Sequence, residues 1–165
     1  TGASQHLVGE LFNSMAGTKM QHVPFKGSAP SLAAVMAGDI QATFDIIPNA
    51  KPLAESGRVR LLAVTSMKRN PSLPQVPTIH EGGVTGFEFN YWQALSAPRG
   101  TPAPVVQDWF AAVSKSLERK EVQGWLGEQG FELVGSTPAQ LAEAMRQEQV
   151  KWGKVIAAAG IKVDA

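Results

Sequence analysis

The chain has 165 residues, a formal charge of +1 and an apolar fraction of 44%, enough for one ordinary domain or two small lobes that bury a core. The near-neutral balance, with no basic run longer than a pair such as Lys68-Arg69, argues against nucleic acid as a main partner. There is no cysteine, which removes disulfides, thiolate metal sites and a cysteine nucleophile, and no apolar run approaches the roughly 18–20 residues that span a bilayer.

Leu7, Val8, Leu11, Phe12 and Met15 recur at helical spacing. They predict a helix with Ser4 as its N-cap and Gly17 just past its end. Residues 20–23 read as a short strand ended by Pro24. Ser28 is placed to cap a second helix with Leu32, Val35 and Met36 as its apolar stripe and Gly38 as its stop. Ile40, Ala42, Phe44 and Ile46 alternate with Gln41, Thr43 and Asp45, the pattern of a strand. Pro48 opens a third helix that ends at Gly57, and residues 59–65 form a strand of the buried type. Helix and strand thus alternate with short connections, so the strands are expected to be parallel with right-handed crossovers. In such sheets ligands sit beyond the carboxyl ends of the strands, which places the turn at 25–28 and the segment at 45–48 on one edge.

The texture then changes. Residues 70–77 are a proline-rich loop, and Glu81-Gly82-Gly83 is read as closing a short helix begun at Thr78. Residues 87–97 form an extended stretch carrying Phe87, Phe89, Tyr91 and Trp92. The last third is helical. Thr101-Pro102 opens a helix with the stripe Val106, Trp109, Phe110, Val113 and Leu117, and a shorter helix carries Val122, Trp125 and Leu126. After a short strand at 132–134, Thr137-Pro138-Ala139-Gln140 forms a capping box at the start of a long helix ended by Gly160. Trp109, Trp125 and Trp152 fall on these stripes and are expected in the core.

The residues with chemistry to offer cluster early. Thr1, Gly2, Ala3 and Ser4 precede the first helix, whose N-terminus presents N–H groups and the positive end of a dipole to an anion; an ordinary serine cap is the plainer reading. Gly27 allows close backbone approach, Ser28 can donate through its hydroxyl or N–H, and Lys26 can add positive charge or stay solvated. Asp45 suits a ligand amino group, hydroxyl, protonated carboxyl or bridging water, or else caps the helix that follows. His6 lies in the first turn of a helix whose mouth is expected to face such a ligand, while His22 is read as a strand residue and His80 as a loop residue. The three histidines show no metal-ligand spacing. There is no Gly-x-Ser-x-Gly elbow, P-loop or dinucleotide loop, and no acid/base pair of carboxylates, so no enzyme is expected.

The motif Ser4-Gln5-His6-Leu7 with Glu10-Leu11-Phe12, then Val23-Pro24-Phe25-Lys26-Gly27-Ser28-Ala29-Pro30, then Phe44-Asp45, resembles the Bug-type receptors of tripartite tricarboxylate transporters (TctC-like). So do Arg60-Leu61-Leu62-Ala63-Val64-Thr65-Ser66, Leu73-Pro74-Gln75-Val76-Pro77-Thr78, Ala97-Pro98 with Gly100-Thr101-Pro102-Ala103-Pro104, and Trp152-Gly153-Lys154-Val155-Ile156. The resemblance covers essentially the whole chain in one order.

It implies an α/β, periplasmic-binding-protein-like (type II) lobe with a parallel-type sheet and flanking helices, plus C-terminal helices that belong to the other lobe. Residues 1–88 would be most of the second ligand-binding lobe, and 89–165 the crossover segment and the C-terminal helical part of the first. The function implied is that of an extracytoplasmic, periplasmic receptor that binds a small organic acid between its lobes and delivers it to membrane permease subunits. It would carry no catalytic residue, cofactor or metal. The ligand-binding residues implied are Thr1, Gly2, Ala3, Ser4, His6, Lys26, Gly27, Ser28 and Asp45. The family's glycine-rich loop of the first lobe has no match here, so the chain is expected to be a fragment whose N-terminal lobe is largely missing. The remainder of its own chain, or a second copy, would cover the apolar stripes at 106–117 and 141–156. The alternative is the ligand-sensing effector domain of a regulator of related two-lobed fold.

Overall fold

The computed structural model describes residues 2–161. Within them run α1 (Ser4–Ala16), α2 (Ser28–Ala37), α3 (Ile47–Glu55), α4 (Ala103–Leu117), α5 (Lys120–Glu128) and α6 (Pro138–Ala159). The helices thus follow the apolar periodicity closely, and α1 and α2 stop where expected. Gly17 and Gly38 take left-handed backbone at φ 66° and 83°, and their N–H groups close the last turns onto Asn13 and onto Ala34 and Val35.

The helix starts differ from expectation. Ser4 and Ser28 are each the first helical residue, one position inside the helix, and the caps are Ala3 and Gly27, with no side-chain cap at either. A serine oxygen must precede the first turn to reach the N–H groups two or three residues on; from the first helical position it points elsewhere. The capping box at the start of α6 is present: the Thr137 N–H donates to Gln140 Oε1 at 2.9 Å and the Gln140 N–H to Thr137 Oγ1 at 3.3 Å.

The expected strands do not form ladders. Among the described residues the sole β-type contact is a parallel bridge between Val64 and Thr78. The Val64 N–H donates to Pro77 O at 2.8 Å, Ile79 N–H to Val64 O at 3.0 Å and Phe89 N–H to Thr65 O at 2.8 Å. The backbone groups of 21–25 and 41–45 bond no other backbone among the described residues. Alternation in a sequence reports which side chains turn inward; a ladder also needs a neighbouring strand about 4.8 Å away. The segment after Thr78 is a single turn rather than a helix, held by reciprocal bonds: Thr78 N–H to Glu81 Oε2 at 2.7 Å and Glu81 N–H to Thr78 Oγ1 at 3.0 Å.

The chain divides into two compact units, Thr1–Tyr91 with Lys151–Ala165, and Trp92–Val150. The core of the first unit is Val8, Ile79 and Phe87, with Leu11, Phe12, Phe44, Ala63, Val84 and Phe89 packed against it. Phe87 is fully buried. Phe12 stands between Phe44 and Phe87 at centroid distances of 6.3 and 6.0 Å, tilted contacts that favour aromatic pairs. Leu73 and Val76 of the proline-rich loop are buried as well, so that loop is part of the core. Trp152 meets Phe89 edge-on at 5.3 Å, and Lys151 Nζ donates to Glu88 O at 3.0 Å.

The second unit contains α4, α5 and the first part of α6. None of its described residues falls in the buried class. Trp109 and Trp125 are 59% and 62% exposed, which corrects their expected place in a core. Helical spacing identifies an apolar stripe, and a stripe becomes core only where another surface covers it.

Candidate functional site

The first unit gathers most of the residues singled out by the sequence. α1 enters through Gly2-Ala3. The carbonyl of Ala3 accepts the N–H groups of His6 and Leu7 at 2.9 and 3.1 Å. The N–H groups of Ala3, Ser4 and Gln5 meet no acceptor among the described residues. They form the open, positively polarised mouth of a 13-residue helix. Thr1, also expected at this mouth, lies outside the described residues.

His6 is held there from both sides. The Gly2 N–H donates to His6 Nδ1 at 3.1 Å, and His6 Nε2 lies 3.7 Å from Glu10 Oε1 one turn along α1. The imidazole of His22 stacks on that of His6 with centroids 3.8 Å apart and planes 16° from parallel. Asn13 brings this about by fixing the turn out of α1. Its Oδ1 accepts Met20 N–H at 2.9 Å and the Thr18 hydroxyl at 2.9 Å, and its Nδ2 donates to Met20 O at 3.0 Å. Although much of His22 is exposed, partial burial and then the neighbouring His6 lower its pKa, while Glu10 opposes them. The reading of His22 as a strand residue gives way to this ring contact. Fifteen intervening residues and no shared periodicity hide it from the sequence.

The second cluster joins α2 to the entry of α3. Asp45 Oδ1 accepts three hydrogen bonds: from Ser28 Oγ at 2.9 Å, from Ile46 N–H at 2.8 Å and from Asn49 Nδ2 at 3.0 Å. Asp45 therefore does organise the start of α3, although the helix is capped at Ile46. The Ser28 hydroxyl is committed to Asp45. Gly27 stands at φ 100° and ψ 179°, backbone that glycine alone adopts readily. Lys26 beside it is exposed. Ser31 and Thr43 share a hydroxyl hydrogen bond of 2.8 Å one turn deeper, a second tie between α2 and the 41–46 segment that sequence reasoning missed.

Two clusters therefore stand in one unit: Gly2, Ala3, Ser4 and His6 with the added His22 and Glu10, and Gly27, Ser28 and Asp45 with Lys26 next to them. Both present uncapped helix N-termini, an arrangement suited to carboxylate or another small anion. No group of three or more His, Asp or Glu side chains among the described residues can hold a metal ion, and no described helix is long and apolar enough to cross a membrane.

Known proteins resemble this chain over nearly its whole length. A curated relative from Pseudomonas sp. (strain P51), the UPF0065 protein in the tcbD-tcbE intergenic region, is 36% identical over 94% of this chain and 46% of its own length. The solved structure of R. palustris Rpa4515 with adipate superposes with a TM-score of 0.89 at 41% identity, covering 97% of this chain and 54% of that one. MatC (Rpa3494) from Rhodopseudomonas palustris with bound malate gives a TM-score of 0.78 at 33% identity over 94% and 54%. The chain thus spans about half the length of each of these proteins, and it shares the fold of periplasmic binding proteins with little of the strand pairing formed among its own residues. The family in question is one of solute receptors, not of enzymes. With its sequence profile matched over residues 1–161, the chain belongs to the tripartite tricarboxylate transporter receptor family.

Proposed function

We propose that this chain supplies one wall of the ligand cleft of a periplasmic receptor that binds a small organic acid and delivers it to the membrane permease of a tripartite transporter. The observation that carries this reading is the pair of uncapped helix N-termini, α1 and α2, in a chain 41% identical to a protein solved with adipate. The acid's carboxylate is bound by backbone N–H groups of Ala3, Ser4 and Ser28, with Thr1 and Gly2 at the same mouth. Gly27 permits close approach, Lys26 adds long-range attraction, and His6 and Asp45 shape the two mouths.

In this reading residues 1–88 are most of one lobe and 89–165 the crossover and helices of the other. The exposed Trp109 and Trp125 are covered by the remainder of a longer polypeptide, or by a second copy. Hinge closure over the acid follows, and the closed form is what the permease recognises.

The test is thermal denaturation with adipate, malate, succinate and citrate, each from about 1 to 100 times a trial Kd of 10 µM. A bound acid raises stability by about 2.7 kcal/mol at one hundred times Kd, a shift of several degrees. Run in parallel on the 165-residue chain and on a polypeptide extended to the length of its relatives, the assay separates one wall from the whole cleft. Stabilisation by nucleotides and by no organic acid refutes the receptor reading.

A further inference from the structure

The His6–His22 pair is more than a local contact, because its geometry restricts where a proton can sit. His6 Nδ1 accepts the Gly2 N–H, so it must keep its lone pair, and in a neutral ring the proton then lies on Nε2, the nitrogen facing Glu10. Protonating His6 at Nδ1 breaks the bond to Gly2 and with it the entry to α1. The two rings are stacked at 3.8 Å, so two positive charges there repel strongly. Among the described residues, the charged groups facing His22 are His6 and Glu10, both on α1. No basic side chain other than His6 is among them.

Resting on the receptor reading above, we propose that the stacked pair is a proton-linked element of the acid site: it carries one proton, on His22, taken up when an organic acid binds at the mouth of α1. His6 is the positioning residue, fixing the Gly2 amide, and His22 is the titrating one. A carboxylate at the mouth adds negative charge within a turn of both rings, which favours the protonated form of His22. By linkage, affinity for the acid then rises as pH falls through the histidine range, and binding draws protons from the buffer.

Two measurements decide it. The first is an imidazole nitrogen NMR titration of the free protein. The expected result is His6 as the Nε2–H tautomer at neutral pH and a His22 midpoint that rises when His6→Asn removes the stacked ring. A His6 proton on Nδ1, or a His22 midpoint unmoved by His6→Asn, overturns the proposal. The second is calorimetry with adipate in buffers of differing ionisation heat at pH 6 to 8. Net proton uptake is expected near pH 6.5 and absent in His22→Asn. His6→Phe, which leaves the Gly2 N–H without an acceptor, should weaken adipate binding about tenfold, the worth of one hydrogen bond, and His6→Asn, whose Oδ1 can still accept from Gly2, should recover part of that loss. Adipate binding with equal uptake in wild type and His22→Asn refutes the inference and leaves the receptor reading standing. Binding of none of adipate, malate, succinate and citrate refutes the receptor reading, and the NMR titration then judges the pair alone.

Discussion

The Ser28–Asp45 hydrogen bond ties the first residue of α2 to the entry of α3, and a double-mutant cycle measures what that tie is worth. Asp45 Oδ1 takes three donors at 2.8–3.0 Å. Bonds to a carboxylate are worth about 1.5–3 kcal/mol when well buried. Here Ser28 and Asp45 are half-buried, so water replaces part of the loss, and about 1 kcal/mol per strong bond is the reasonable scale. Ser28→Ala should therefore cost about 1 kcal/mol, and Asp45→Ala, losing the two half-buried bonds and the exposed Asn49 bond that water largely replaces, about 2 kcal/mol. The double variant should also cost about 2 kcal/mol, because the shared bond is lost only once, giving a coupling of about 1 kcal/mol. Asp45→Asn keeps an acceptor oxygen and should fall between wild type and Asp45→Ala. Urea denaturation supplies the free energies. Hydrogen exchange of the α2 amides assigns them to the first unit, since tryptophan fluorescence mixes Trp152 of the first unit with Trp92, Trp109 and Trp125 of the second. If the two single costs add to the double within about 0.3 kcal/mol, the Ser28–Asp45 contact carries no energy and its role in organising the α2 mouth fails.

Three further outcomes follow from the structure. Phe87→Ala empties the centre of the first unit's core and should cost about 3–5 kcal/mol, with Phe87→Leu costing distinctly less; equal losses by denaturant titration would show that shape at this position is irrelevant. Gly27→Ala meets open space but a φ of 100°, so strain alone should destabilise by about 1 kcal/mol or more and weaken acid binding; a variant as stable as wild type refutes the backbone argument. Glu81 is held below the usual carboxylate range by the Thr78 N–H and then by Arg69. A carboxyl with a lowered folded pKa stabilises above its unfolded value and loses that contribution as pH falls through the carboxylate range toward its folded value. The melting temperature should therefore drop more steeply on acidification in wild type than in Glu81→Gln, and parallel curves would deny the Thr78–Glu81 contact any role.

Where helices run and where they stop was legible in the residues. The 3.6-residue apolar period, Gly17 and Gly38 at helix ends and the Thr137–Gln140 box act within a few positions of chain, so the sequence contains both partners of each interaction. The residue types at the two helix mouths were legible for the same reason. Strand pairing, core membership and the histidine stack were decided by tertiary structure. Phe44 and Phe87 become core because both reach Phe12 from distant segments, while Trp109 and Trp125 occupy equally apolar stripes and remain exposed. Ser28 looks like a cap in the sequence, yet its hydroxyl belongs to Asp45, seventeen residues away. His6 and His22 are two isolated rings until Asn13 folds the chain back on α1 and sets one upon the other. Local order follows from local composition; burial and charge coupling depend on which surfaces the completed fold brings into contact.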